Sequence, residues 1–169
     1  MKNLKLLFVV ILFLVIKIIN AQDFEQSKFG AMTLNNITIN ELMPENASTA
    51  WSSIRAKFGI PKKEYQTTKE STKKYFEYSG AMFIYDDNLG DFMLLLVEIT
   101  SPNYVFTYDG LQIKVGNNIS TLSGKFPLQY NKKEDGGMYI FDSIVDICMA
   151  IYYDSNNVIT KVKLQQSLL

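Results

Sequence analysis

The stretch from Tyr75 to Ile99, YFEYSGAMFIYDDNLGDFMLLLVEI, returns in altered form at Tyr139–Leu164. Each version holds apolar and aromatic runs of strand length, with polar turn residues near Asp86–Asp91 in the first and at Asp154–Asn157 in the second. What precedes each version repeats as well. Trp51, Ile54 and Phe58 fall at i, i+3 and i+7, one face of an α-helix, and so do Ile119, Leu122 and Phe126. The two sets are 68 residues apart, as are Tyr85 and Tyr153, and Asp86 and Asp154. Further upstream, Asn35-Asn36 separates Met32-Thr33-Leu34 from Ile37-Thr38-Ile39, and Asp109-Gly110 separates Tyr104–Tyr108 from Leu111–Val115. Both dipeptides tolerate the positive φ of a two-residue hairpin turn. These turns are 74 apart, so six extra residues precede the first helix.

This order predicts an α+β chain of two tandem ββ-α-β-strand repeats, residues 31–103 and 104–169, with short helices packed on one face of an antiparallel sheet. The first helix is expected to be capped by Ser48 or Thr49, or to start at Pro44, and to stop at Gly59 and Pro61. Pro127 is expected to end the second. Lys62–Lys74 and Asn131–Gly137 are polar and read as loops. Each helix offers a face only three apolar residues wide, which buries little alone, so the two units should share one core.

Of the 169 residues, 47% are hydrophobic and 20% charged, ordinary globular values. The first 21 residues read as a signal peptide: Lys2 and Lys5, an apolar run from Leu6 to Ile16, and small Ala21 at the expected cleavage point. Residues 22–30 read as a flexible lead-in. The run falls short of the roughly 18 residues of a membrane span, so membrane attachment is expected only if the segment is retained. Cleavage takes three of the 17 basic residues and none of the 17 acidic ones, leaving a net charge of about −3. That gives no electrostatic footprint for nucleic acid. The expected location is the bacterial periplasm or the exterior.

The chain contains no His and one Cys. Ser-His-Asp and Cys-His catalysis, His-ligated zinc and CxxC redox chemistry are therefore closed to it. Cys148, flanked by apolar residues, reads as a buried, inert thiol. Asp142 and Asp146 would share a face of an extended chain, but they read as a turn residue and a solvent-facing one. Asp86, Asp87, Asn88 and Asp91 lack the spacing and closing Glu of an EF-hand loop and read as a hairpin turn. No cofactor, metal site or catalytic residue is expected. The tyrosines remain. Tyr75, Tyr78, Tyr85, Tyr139, Tyr152 and Tyr153 cluster on the repeated strands. Any that lie on the face away from the helices would form an aromatic platform suited to a protein partner.

A hairpin, a short helix ending in KFGIP or KFP, then YFEYSG and a long hairpin, all in duplicate, resembles an uncharacterised family of small exported bacterial proteins. Its halves look like the helix-plus-sheet repeats of β-lactamase-inhibitor-like and BamE-like domains, most of all at VFTYDGLQIKVGNNIS. The resemblance covers roughly Ala31–Leu164. It implies non-catalytic binding through a curved sheet. The expected function is that of an exported protein-binding module, an inhibitor or toxin-neutralising factor. The alternative is an accessory of cell-envelope assembly.

Overall fold

The computed structural model describes residues 26–42, 47–66, 68, 72–88, 91–142 and 147–166. The signal segment, the start of the lead-in, Pro44, the tip of the turn between Asp86 and Asp91, the side chains of Trp51 and Asp142, and Asp146 lie outside the described residues.

A short helix, α1 (Gln26–Phe29), precedes a small hairpin of β1 (Thr33–Leu34) and β2 (Ile37–Thr38). Asn35 and Asn36 take φ of 48° and 68°, the left-handed pair that a type I′ turn requires. Helix α2 (Ile39–Leu42) and helix α3 (Ala47–Phe58) follow. Helix α3 contains Ser48 and Thr49 instead of being capped by them. Gly59, at φ 75°, ends it as expected and donates its N–H to the Arg55 carbonyl. Strands β3 (Lys63–Gln66), β4 (Lys73–Tyr78), β5 (Ala81–Asn88) and β6 (Asp91–Ile99) complete the first half.

The second half opens with β7 (Phe106–Tyr108) and β8 (Leu111–Ile113), whose turn sets Asp109 and Gly110 at φ 47° and 79°. A 3-10 turn, Ile119–Leu122, and helix α4 (Pro127–Asn131) come next. Then follow β9 (Gly137–Asp142), β10 (Ile147–Tyr153) and β11 (Ile159–Gln166).

Two antiparallel sheets result, so the fold class is α+β as the sequence indicates. One has four strands in the order β2-β1-β7-β8; the other has seven in the order β3-β4-β5-β6-β11-β10-β9. The two hairpins meet at β1 and β7, where Thr33 faces Thr107. Asn35 fastens that seam by donating to the Asn103 carbonyl and accepting from the Val105 N–H. The two meanders meet at β6 and β11, where Val97 faces Leu164 and Ile99 faces Val162. Each meander carries a β-bulge, at Ile84/Tyr85 opposite β6 and at Tyr152/Tyr153 opposite β11.

The cross-strand register assigns the core. Phe76, Phe83, Val97, Leu164, Met149 and Ile140 are successive neighbours across six strands, and all are buried. A parallel row runs Tyr78, Ala81, Ile99, Val162, Ile151 and Met138. These rows join Leu34, Ile37, Ile54, Phe106, Ile113 and Leu122 in one continuous cluster. Phe58 of α3 packs on Tyr78, Phe83 and Tyr104, with ring centroids 5.4–5.9 Å apart. The helices therefore cover one face of the large sheet. Each of the large side chains in these rows contributes roughly 1.5–3 kcal/mol of burial.

Three expectations are corrected. The segment 62–74 is not all loop, because β3 forms within it. Its polar sequence hides a strand held by the Tyr65–Tyr75 stack, by Lys63–Glu77 and by Arg55–Glu64, which ties it to α3. The single helix expected over Ile119–Phe126 is a 3-10 turn followed by the separate helix α4. Pro127 begins that helix, since its missing N–H costs nothing at the first position. A residue before proline is pushed out of the α region, and Phe126 sits at φ −126°, ψ 61°. Ile119, Leu122 and Phe126 are nonetheless all buried, with Asn118 capping the turn through the Ser120 N–H.

Burial also makes Tyr78, Tyr85 and Tyr104 resist ionisation, the first two most strongly. Tyr85 is enclosed and donates to the Leu42 carbonyl at 3.0 Å; burial holds its hydroxyl far above the usual phenol range. Burial likewise pushes Tyr78 up to about 12, against a partial opposing pull from Arg55. Both folded values exceed the unfolded value of about 10. Their contribution is thus complete below pH ~10 and is lost as pH rises through the folded values. Burial raises Cys148 and Tyr104 as well, and an unfolded thiol ionises at about 8.5, so the melting midpoint should hold steady to pH ~8, drift down from there and fall steeply above pH ~10. The Tyr78→Phe/Tyr85→Phe double variant should start about 1–3 kcal/mol less stable at pH 7 and lose the larger part of the slope above pH ~10, keeping the shallower loss that Cys148 and Tyr104 cause. An unchanged slope in a thermal-melt series from pH 7 to 11 would assign the effect elsewhere.

Candidate functional site

In a strand, residues on either side of a core residue point to the opposite face. The outer face of the large sheet is therefore fixed by the same register. Its central row runs Tyr65, Tyr75, Ile84, Leu96, Gln165, Cys148 and Phe141, one residue from each strand. Six of the seven are aromatic, aliphatic or thiol. Tyr65 is 39% exposed and Phe141 49%, Tyr75, Ile84 and Leu96 are half-buried, and Cys148 is buried. Cys148 is buried as expected, and burial raises its thiol pKa.

A charged row flanks the apolar one: Lys63, Glu77, Met82, Glu98 and Lys163, continuing to Ala150 and Tyr139. Its ends are closed by Lys63–Glu77 at 3.4 Å and Glu98–Lys163 at 3.1 Å. On the other flank Lys73 faces Asp86, and Asp86 faces Met93, which is 45% exposed. Between these rows lies an open depression of about 340 Å³, lined by Lys73, Tyr75, Ile84, Leu96, Gln165 and Gln166. Two covered acceptors near it, Asp86 Oδ1 and Gln166 Oε1, take no hydrogen bond from any described residue. A partner bringing donors to this rim would satisfy them.

The sequence-selected tyrosines divide between the two faces. Tyr75, Tyr139 and Tyr152 stand on the outer face. Tyr75 stacks on Tyr65 at 4.9 Å, Tyr152 lies 4.4 Å below the Lys161 ammonium, and Tyr139 leans over Gly137. The nearby Tyr152 raises the Tyr139 pKa. Tyr78 and Tyr85 are corrected from platform to core: their parity turns them under the helices. Tyr153 follows the β-bulge, packs against the core and donates to the Glu134 carbonyl. The face also recruits Tyr65, a tyrosine in the segment expected to be loop, and Ile84, Leu96, Met93 and Phe141, which a search for tyrosines alone passes over. Their signal is in the sequence: the runs Ala81–Tyr85 and Met93–Val97 are apolar at odd and even positions alike, so both faces of those strands are apolar.

Chemically the face offers contact area, ring edges, two ion pairs and amide groups. A second depression, of about 450 Å³, lies between turns and is lined by Lys133, Asp135, Gly136, Tyr153, Asp154, Ser155 and Asn157. Among the described residues no group of three His, Cys, Asp or Glu side chains could hold a metal ion, and no helix is long and apolar enough to cross a membrane.

No family model and no curated protein matches the chain. Among known structures it is similar to a cysteine-rich secretory protein from Staphylococcus aureus subsp. aureus Mu50, at 14% identity and a TM-score of 0.34 over 73% of this chain. The chain spans about half the length of that protein, 47%.

Proposed function

We propose that the chain is an exported, non-catalytic protein-binding module, built from two copies of one helix-on-sheet unit, that takes its partner on the outer face of the large sheet. The duplication is supported by the bulges. Ile84/Tyr85 and Tyr152/Tyr153 are 68 residues apart, the spacing already present between Ile54 and Leu122. Both seams, β1 with β7 and β6 with β11, join like strands head to tail, as a two-fold relation between the halves requires.

The binding reading rests on one observation: the row Tyr65–Tyr75–Ile84–Leu96–Gln165–Cys148–Phe141 crosses the face that the helices leave open. Apolar rows of this kind with a polar rim mark interaction surfaces. A chain without His and with a single buried Cys adds to the non-catalytic side of the reading. Inhibition or toxin neutralisation is the kind of task such a face serves.

A photoreactive phenylalanine analogue placed at Tyr75 or Ile84, in the protein expressed in its own host, should give one discrete adduct on irradiation. The same analogue at exposed Ser52 of α3 should give none. Tyr75→Glu should weaken capture of the identified partner at least tenfold. Adducts from Ser52 but not from Tyr75 or Ile84 would move the interface to the helix side. An adduct with an envelope-assembly component would favour an accessory role over an inhibitory one.

A further inference from the structure

The two outer edges of the large sheet are finished differently. At one end β3 covers β4, and it carries Lys63 and Glu64, charges that discourage further pairing. At the other end β9 is the last strand among the described residues. The connection before it is shorter, and among the described residues only Glu134 bridges its start.

That bridge fixes which groups are left over. Gly137 spends both its N–H and its C=O on Glu134, and the Tyr153 N–H reaches the Gly136 carbonyl. Along an antiparallel strand the hydrogen-bonding direction alternates with each residue. Met138 and Ile140 thus point their main-chain groups at β10, while Tyr139 and Phe141 point theirs away from the sheet. The side chains of Tyr139 and Phe141 are 40% and 49% exposed, and Gly137–Phe141 carries no charge.

We propose that β9 pairs antiparallel with β9 of a second copy about a two-fold axis at Ile140. In this register Tyr139 of each copy exchanges both main-chain hydrogen bonds with Phe141 of the other. Four bonds form, and two aromatic cross-strand pairs stand side by side on the outer face. The bridge at Gly137 stops the pairing there and sets the register. Because the same edge meets itself, the assembly closes as a dimer and cannot grow into a filament. Four hydrogen bonds and two ring pairs make a weak, reversible dimer, populated at high protein concentration. This inference goes beyond the partner reading above and does not depend on it.

Sedimentation equilibrium of the protein recovered from an exporting bacterial host, from about 5 to 500 μM, should show monomer giving way to dimer. The amides of Tyr139 and Phe141 should exchange more slowly as concentration rises. Phe141→Lys, at an exposed position, should raise the dissociation constant at least tenfold without changing the melting midpoint. If that variant is unstable, the concentration-dependent exchange of the two amides in the unmodified protein decides the matter. A protein that stays monomeric across the range would overturn the proposal. So would a dimer that ignores Phe141→Lys while the two amides exchange at one rate, or a monomer that pairs β9 only with an added extended peptide.

Discussion

Phe126→Ala should lower the unfolding free energy by about 3–5 kcal/mol, the range for emptying a buried phenylalanine site. Phe126 is 2% exposed, and its ring lies 5.6 Å from that of Tyr108. It sits where the 3-10 turn gives way to α4, and its main chain bonds both sides, to Leu122 and from Tyr130. Neither short element is stable alone, since isolated helices shorter than about 12 residues are marginal in water. The ring is what anchors both to the small sheet. Chemical denaturation should show a lower midpoint with little change in slope. Leu128→Ala, in the half-buried first turn of α4, should cost about 1 kcal/mol or less. Equal losses for the two variants would show that the junction is not anchored at Phe126.

Gly80→Ala should be nearly as damaging, at about 2–5 kcal/mol. Gly80 turns the chain between β4 and β5 at φ 82°, a region that costs an L-residue about 1–2 kcal/mol. An added methyl would also stand 2.2 Å from Ser101 Cβ, well inside contact distance. Ser101 cannot retreat cheaply, because the neighbouring Thr100 N–H is bonded to the Gly80 carbonyl at 2.9 Å. Overpacking of this kind adds roughly 1–3 kcal/mol. Gly110→Ala supplies the comparison. It has nearly the same φ, 79°, with nothing within 4 Å of the added methyl, so it should cost only the backbone share. Ser101→Gly should recover more than 1 kcal/mol in the Gly80→Ala background. Thermal melts of the four proteins test this, and equal losses at Gly80 and Gly110 would remove the steric part.

How much of this was readable beforehand varies with the physics behind each element. The hairpins at Asn35-Asn36 and Asp109-Gly110 were legible because positive φ at two adjacent residues is a local demand that few side chains meet. The meander strands were legible because their apolar runs are long. The break at Pro127 is in the sequence, but its sense is not, since proline suits the start of a helix as well as the end of one. Strand β3 was not legible. Its residues are polar and exposed, and it exists because Tyr75, Glu77 and Arg55, remote in sequence, stack on it or pair with it.

On the candidate face, strand parity decides which side chains point outward. Counting outward from Phe76 and Phe83 would have placed Tyr75 and Ile84 outside and Tyr78 and Tyr85 inside. The bulges then shift the count, so Tyr152 and Tyr153 could not be assigned without the cross-strand partners. The meeting of β6 with β11 joins two distant segments, and nothing local to either of them announces it.

Hydroxyl-radical footprinting read by mass spectrometry tests most directly whether one side of the large sheet is covered and the other open. The arrangement predicts that Met93, Tyr65 and Phe141 are oxidised rapidly, while Met138, Met149 and Phe83 are protected at least tenfold. Equal oxidation of Phe141 and Met138, or of Met93 and Met149, would contradict it.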